Sequence, residues 1–250
     1  PDNMSKEYYL TEVVEIAYKN DLKIDLINIE EQEILGVNSR EDLALAEKII
    51  QRKLRYFFLN KGVTLIDPKT NYFSYDTIIQ KDVTIYPNVF IGEGVKIESG
   101  SSVLSFCHLE NCYIKKNVSI GPFARIRGNT ILQENNKVGN FVELKRVIAE
   151  QDVKINHLSY IGDATIGKSS NIGAGSITCN YDGHKKNKTF IGSNAFVGSN
   201  STMVAPLKIG DNSTIGAGSV ITEDVNSGDL AIGRERQVNK KDRSITKKKN

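Results

Sequence analysis

An apolar residue recurs at every sixth position through most of this chain, and the recurrence predicts a mainly β fold, a left-handed parallel β-helix of six-residue repeats. Three observations carry that prediction. The first is phase. Phe73, Ile79, Ile85, Ile91, Ile97, Val103 and Leu109 form one run. Ile114, Ile120, Ile126, Leu132, Val138 and Leu144 form a second, and Ile191, Val197, Met203, Ile209, Ile215 and Ile221 a third. Ile155–Ile161 and Ile166–Ile172 fill part of the gap. Six is neither a helical nor a simple strand period. It suits a flat face of short strand plus turn, and three faces close a coil of roughly 18 residues. The second observation is that glycine often follows the apolar residue, as at Gly92, Gly121, Gly139, Gly167 and Gly198. Tight corners need backbone that tolerates positive φ, which Gly, Asn and Asp supply. The third is a small or β-branched residue four positions after the apolar one, as at Val83, Val89, Ala124, Ala195, Ser201 and Ser213. Such side chains fit a narrow interior.

Ahead of the repeat, residues 1–38 read as a small α/β remnant. Leu10, Val13, Val14 and Ala17 share a helical face, Lys23–Ile29 reads as a short strand, and Gly36-Val37-Asn38 as a turn. Ser39 is a good N-cap, with Asp42 three residues on, for a linker helix over 39–61. Its stripe includes Leu43, Ala46, Ile50, Leu54 and Phe58. Sixty residues are too few to build a doubly wound sheet. The coil is expected over 62–228, roughly nine turns. Its rhythm slips by one residue at Leu109→Ile114 and at Ile161→Ile166. It breaks after Thr178, where 180–188 reads as an inserted loop, often a binding feature in repeat folds. Residues 229–250 read as a polar, basic tail.

Composition narrows the function classes. The 250 residues are 39% hydrophobic and 25% charged, an ordinary globular balance. Net charge is +3, with the excess at Lys240, Lys241, Arg243, Lys247, Lys248 and Lys249. A solvated tail explains that cluster, and no broad basic surface argues for nucleic acid. Three cysteines suit a reducing cytoplasm rather than a disulfide framework. No apolar run approaches the ~18 residues of a membrane span, and no signal peptide is visible. The first residue is Pro1, so the numbering is expected to start inside a longer product.

Residues with chemical potential gather where the rhythm is disturbed. Arg127 and Lys145 are 18 apart, so they are expected to stack on one face. Two stacked cations suggest a phosphate or carboxylate between them. They would equally serve as surface residues pairing with Glu143 or Glu134. His157 lies close by, with Tyr160 and the loop beginning Asn180-Tyr181. A neutral imidazole can take a proton from an amine nucleophile. A hydrogen-bonded structural role is the alternative, and Glu143 is a candidate to orient the ring. No metal-ligand spacing is evident.

Five motifs then carry a resemblance: Gly121-Pro122-Phe123-Ala124-Arg125-Ile126-Arg127, Val138-Gly139-Asn140-Phe141-Val142-Glu143-Leu144-Lys145, His157-Leu158-Ser159-Tyr160-Ile161-Gly162-Asp163, Asn171-Ile172-Gly173-Ala174-Gly175 and Thr178-Cys179-Asn180-Tyr181-Asp182-Gly183. The chain resembles the acetyltransferase half of the bacterial GlmU family, bifunctional enzymes that make UDP-N-acetylglucosamine. Tyr8-Tyr9-Leu10-Thr11-Glu12 and Gly36-Val37-Asn38-Ser39-Arg40 resemble the end of that family's uridyltransferase domain. The resemblance implies acetyl transfer from acetyl-CoA to the amino group of glucosamine 1-phosphate. His157 would be the general base. Arg127, Lys145, Tyr160 and Lys186 would bind the sugar phosphate, and Asn171 the sugar. Ala174, Asn180, Tyr181, Ser199, Ala217 and Arg234 would line the acetyl-CoA path, with a backbone N–H near Ser199 as oxyanion donor. It also implies a cytoplasmic homotrimer with no nucleic-acid or membrane partner. The Gly-rich nucleotide loop of the uridyltransferase domain is absent from these 250 residues. Asn38 matches a Mg2+ ligand of that domain but is expected to act here as a turn residue. Cys179, beside the loop, is expected to pack. Two alternatives remain: the same fold acylating another acceptor, and a non-catalytic β-helix scaffold.

Overall fold

A computed structural model describes residues 9–30 and 33–241. Tyr8, Arg243, Lys247, Lys248 and Lys249, named above, lie outside them. Two compact units are present, 1–49 and 50–250.

In the first unit, α1 spans Glu12–Lys19, and α2 begins at Arg40 and runs through to Asn60. The predicted N-cap is realised reciprocally. The Asp42 N–H donates to Ser39 Oγ at 3.1 Å, and the Ser39 N–H donates to Asp42 Oδ2 at 2.9 Å. The strand expected over 23–29 does not form, and Leu26 and Ile27 are 93% and 84% exposed. A strand needs a neighbour for its ladder, and no other strand exists among the described residues of this unit.

The second unit is the coil. Its inward residues follow the sixfold phase, and Ile85, Ile91, Ile97, Val103, Leu109, Ile114, Ile120, Ile126, Leu132 and Leu144 are buried to 1% exposure or less. The strands form a left-handed β-helix in which every ladder is parallel. One face is a ten-stranded sheet. The other two are joined in a single 15-stranded sheet, because the strands Glu143–Ala149 and Tyr160–Ile166 run unbroken round the corner between them. That corner is where residues are dropped. A third slip, Leu144→Ala149, accompanies the two legible in the sequence, and it escaped notice because Ala149 is too small to mark the phase. The corners turn through left-handed residues, many of them Asn and Asp: Asp82, Asn88, Asn111, Asn117, Asn129, Asn135, Asp152, Asn194, Asn200 and Asn212.

The C-terminal half of α2 closes the first coil. Buried Gln51 donates Nε2–H to the Phe73 carbonyl at 2.7 Å and accepts from the Phe73 N–H at 2.9 Å. Phe58 packs on Phe73 with ring centroids 4.9 Å apart. At the far end the sheet runs past the expected boundary at 228. Leu230–Ala231 pairs with Thr214–Ile215, and the Val220 N–H donates to the Gly233 carbonyl at 3.0 Å. The apolar rhythm fades there because Leu230 faces solvent and Ala231 is small, yet backbone pairing continues. No described helix is long and apolar enough to cross a membrane.

Candidate functional site

Stacking turns spacing into adjacency along one edge of the coil. Asn140, His157, Ala174, Ser199 and Ala217 each lie two residues past the inward residue of the ten-stranded face: Val138, Ile155, Ile172, Val197 and Ile215. They therefore form one column. Backbone bonds tie it together: Leu158 N–H to the Asn140 carbonyl (3.0 Å), Gly175 to His157 (3.2 Å), Asn200 to Ala174 (2.7 Å) and Gly218 to Ser199 (2.8 Å). Coils rise roughly 4.8 Å each, so Ala217 lies about 14 Å along the edge from His157. The close approach depends on glycine. A Cβ on Gly173 would sit 2.6 Å from the Ser199 nitrogen, and one on Gly198 2.5 Å from the Ala217 nitrogen. Arg234 ends the column, donating Nε–H to the Ala217 carbonyl at 2.8 Å. Ser199, Ala217 and Arg234 are exposed.

His157 is exposed at the end of its strand, with Nδ1 2.6 Å from Asn140 Oδ1. An amide oxygen only accepts, so this contact places the proton on Nδ1 and leaves Nε2 as the acceptor nitrogen of the ring. Asn140 had no assigned role in the sequence. Its signal was the 17-residue offset to His157, the coil length at this level. Glu143 does not orient the ring. It is occupied by Arg127, whose Nε and Nη2 both approach Glu143 Oε1 at 2.7 Å.

Arg127, Lys145 and Gly162 are in direct register on the next face. Lys145 has no ion-pair partner among the described residues. Repulsion from Arg127 is the largest influence pulling its pKa below the usual lysine range; desolvation, Arg146 and Lys186 add to it. This is an electropositive spot short of counter-charge. Tyr160 enters from the start of its strand, paired with Glu143. Its hydroxyl would lie 2.6 Å from a Cβ on Gly162, and Asn180 Nδ2 would lie 2.8 Å from it. The absent side chain thus leaves room for the Tyr160 hydroxyl and the Asn180 amide, one coil on from Lys145. Thr178 holds the Gly162 backbone from inside, accepting from its N–H at 2.7 Å and donating to its carbonyl at 3.1 Å.

The insertion emerges at the adjoining corner. Buried Asn180 accepts from the Asn187 N–H at 2.8 Å, and Tyr181 bridges Lys186. Lys186 Nζ lies 4.8 Å from the Tyr181 ring centroid. Asp182 organises the tip, accepting from the His184 and Lys185 N–H groups and from Asn187 Nδ2. Those bonds lower its pKa to about 2. Asn171 stands half-buried on the ten-stranded face, in register with Lys154 and Phe196. Cys179 is half-buried beside the loop; Cys107 and Cys112 are buried, which pushes their thiols to about 11 and about 12. In the first unit the Asn38 N–H donates to Asp42 Oδ2 at 3.0 Å, as a turn residue would.

Comparison with known proteins follows the same lines. A family model described as Bacterial transferase hexapeptide (six repeats) matches residues 111–146 and 188–223. The chain is 53% identical over 240 residues to the Bifunctional protein GlmU of Wolbachia pipientis wMel, covering 96% of this chain and 56% of that protein. It is 47% identical to the Bifunctional protein GlmU of Paramagnetospirillum magneticum, covering 94% and 53%. The chain thus spans about half the length of the curated relatives it matches. A solved UDP-N-acetylglucosamine acyltransferase from Francisella novicida is similar at 17% identity and a TM-score of 0.49, over 69% of this chain and 65% of that one.

Proposed function

We propose, from the premise that this chain is GlmU-like along nearly all of its length, that it transfers the acetyl group of acetyl-CoA to the amino group of glucosamine 1-phosphate. One observation carries the reading. A histidine with one nitrogen tied to Asn140 ends one face of the coil, and a stacked cation pair with one carboxylate between two charges stands on the next face.

The chemistry needs little else. Arg127, Lys145 and Lys186 hold the phosphate, Tyr160 positions it, and Asn171 contacts the sugar. Nε2 of His157 takes a proton from the amine as its nitrogen attacks the thioester carbon. The Asn140 carbonyl steadies the Nδ1–H as the ring becomes cationic. The C–S bond then breaks, and the departing thiolate collects the proton from the imidazolium. Negative charge develops on the former carbonyl oxygen. The Ser199 N–H donates to no backbone carbonyl among the described residues, and it is assigned as the oxyanion donor. Acetyl-CoA lies along the edge formed by Ala174, Ser199 and Ala217 toward Arg234, with Asn180 and Tyr181 covering its acetyl end.

The active form is proposed as a cytoplasmic homotrimer. The family resemblance, with flat β-helix faces suited to three-fold packing, supports that assembly. Asn38 would join a Mg2+ site only as part of a full uridyltransferase domain. The test is thiol release from acetyl-CoA on adding glucosamine 1-phosphate, with the N-acetylated product identified by mass. Release with formation of that product supports the reading; no release from the trimeric protein overturns it.

A further inference from the structure

The corner that carries the dropped residues also carries a chain of polar contacts that the reaction above does not use. Gly128, Arg146, Asp163 and Asn180 each follow the register column of Arg127, Lys145 and Gly162 by one residue, so they stack along one edge. Arg146 and Asp163 both adopt left-handed backbone, with φ of 55° and 51°. The coil corner imposes this backbone whatever the side chain, as at Asn111 and Asn129 on the same edge and at Phe123, Phe141 and Leu158 on another. Arg146 grips the Asp163 carboxylate with two parallel bonds, Nε to Oδ1 at 2.5 Å and Nη2 to Oδ2 at 2.8 Å. The Asp163 side chain is only 10% exposed. Its Oδ2 also accepts a short hydrogen bond from Asn180 Nδ2.

Asn180 is the root of the inserted loop. Its carbonyl closes the base through the Asn187 N–H, and its side chain ties the loop root to the coil edge below it. The loop tip has a separate organiser in Asp182, whose bonds all stay within the loop. Shape and attachment are therefore held by different carboxylates. Asp182 keeps the loop folded on itself, and Asp163 keeps it fastened. Lys188, at the other end of the loop, lines with Arg146 and Asp163 a cleft of about 280 Å³.

We propose that Arg146 and Asp163 are positioning residues: the Arg146-clamped carboxylate fixes Asn180, and through it sets where Tyr181 and Lys186 stand over the site. Neither residue touches the reacting atoms. Arg146 orients the carboxylate and keeps it charged, and a charged acceptor is the stronger one. The kinetic consequence rests on the acetyl-transfer reading; the mechanical one does not.

Limited proteolysis separates the two. Lys185, Lys186 and Lys188 are exposed in the loop, so tryptic cutting there, located by mass, reports its opening. Asp163→Ala removes a charge-assisted hydrogen bond, and loop cutting is expected to quicken ~10-fold or more. Asp163→Asn keeps an acceptor and a residue tolerant of positive φ, and is expected to fall between that variant and the parent. Asp152→Ala is the control. Asp152 is a corner residue with φ 62° whose carboxylate accepts from Asn135 at 3.1 Å, far along the chain from the loop. It is expected to leave loop cutting unchanged while lowering the melting temperature about as much. In turnover, Asp163→Ala is expected to raise KM for both substrates ~10-fold, with kcat within ~3-fold. Loop cutting at the parent rate in Asp163→Ala, or equal acceleration in Asp152→Ala, overturns the anchor. If even the parent releases no thiol, the acetyl-transfer reading falls, and the proteolysis still decides the anchor.

Discussion

Gly162→Ala puts the site geometry to a quantitative test, because it adds one carbon and nothing else. Gly162 is not in the left-handed region, so its backbone accepts alanine without strain. The new Cβ, however, would lie 2.6 Å from Tyr160 Oη, 2.8 Å from Asn180 Nδ2 and 2.9 Å from Tyr160 Cζ. Ordinary contacts to carbon are about 3.5–4.0 Å, so both groups must retreat by roughly 1 Å. Both are side-chain ends, so the fold should yield at the low end of overpacking, about 1 kcal/mol. At this size that lowers Tm by about 2–4 °C. A displacement of about 1 Å at a reacting site costs on the order of 100-fold, or about 2.7 kcal/mol of barrier. The assay pairs kcat/KM for thiol release with a thermal melt of the same sample. The account predicts a large kinetic loss beside a small thermal one. Parent-like kcat/KM in Gly162→Ala would refute the placement of Tyr160 and Asn180 at the site.

Other outcomes follow from the same geometry. His157→Ala should lower kcat by ~100-fold or more with an unchanged melt, while Asn140→Ala, which removes only a hydrogen bond of about 0.5–1.5 kcal/mol, should lower it ~2- to 12-fold; equal losses in stopped assays would contradict the division of labour. Lys145 carries a depressed pKa, so its charged form opposes the fold below that pKa, and the penalty fades as pH rises through it. Arg127→Met removes the leading repulsion and should move the Lys145 titration upward, read from its 13Cε shift; no movement would mean that the two side chains do not share a field. Asp182 is depressed from 3.8 to about 2, so its contribution is complete above about 3.8 and lost as pH falls through 2. Amide protection of His184 and Lys185 should therefore survive at pH 4 and fade toward pH 2; earlier loss would contradict the tip geometry.

Much of this was legible in the sequence because a repeat converts spacing into position. Phase alone located the inward residues from Phe73 to Ile221, and an 18-residue offset put Arg127 under Lys145 before any coordinates. Legibility failed where the marker side chain was small or polar. Ala149 hid a slip, Thr178 replaced an apolar residue with internal hydrogen bonds, and Ala231 hid the last strand. The residues of the proposed site could be named from the sequence, helped by the family resemblance, but their partners could not. Glu143 looked like the partner of His157 because both are near the cations; Asn140 holds the ring instead, because it alone shares the edge column one coil below. Asp163 and Arg146 lay inside or next to quoted motifs, yet nothing in one dimension says that two corner residues point at a third. The strand expected over 23–29 shows the opposite error, apolar pattern without a partner to pair with.

Discrimination between acceptors tests the proposed phosphate site most directly. Two charge-assisted contacts are worth about 1.5–3 kcal/mol each, so kcat/KM for glucosamine 1-phosphate should exceed that for unphosphorylated glucosamine by ~100-fold or more. The ratio should collapse toward one in the Arg127→Met, Lys145→Met double variant. Equal kcat/KM for both sugars in the parent protein would contradict the account at its centre.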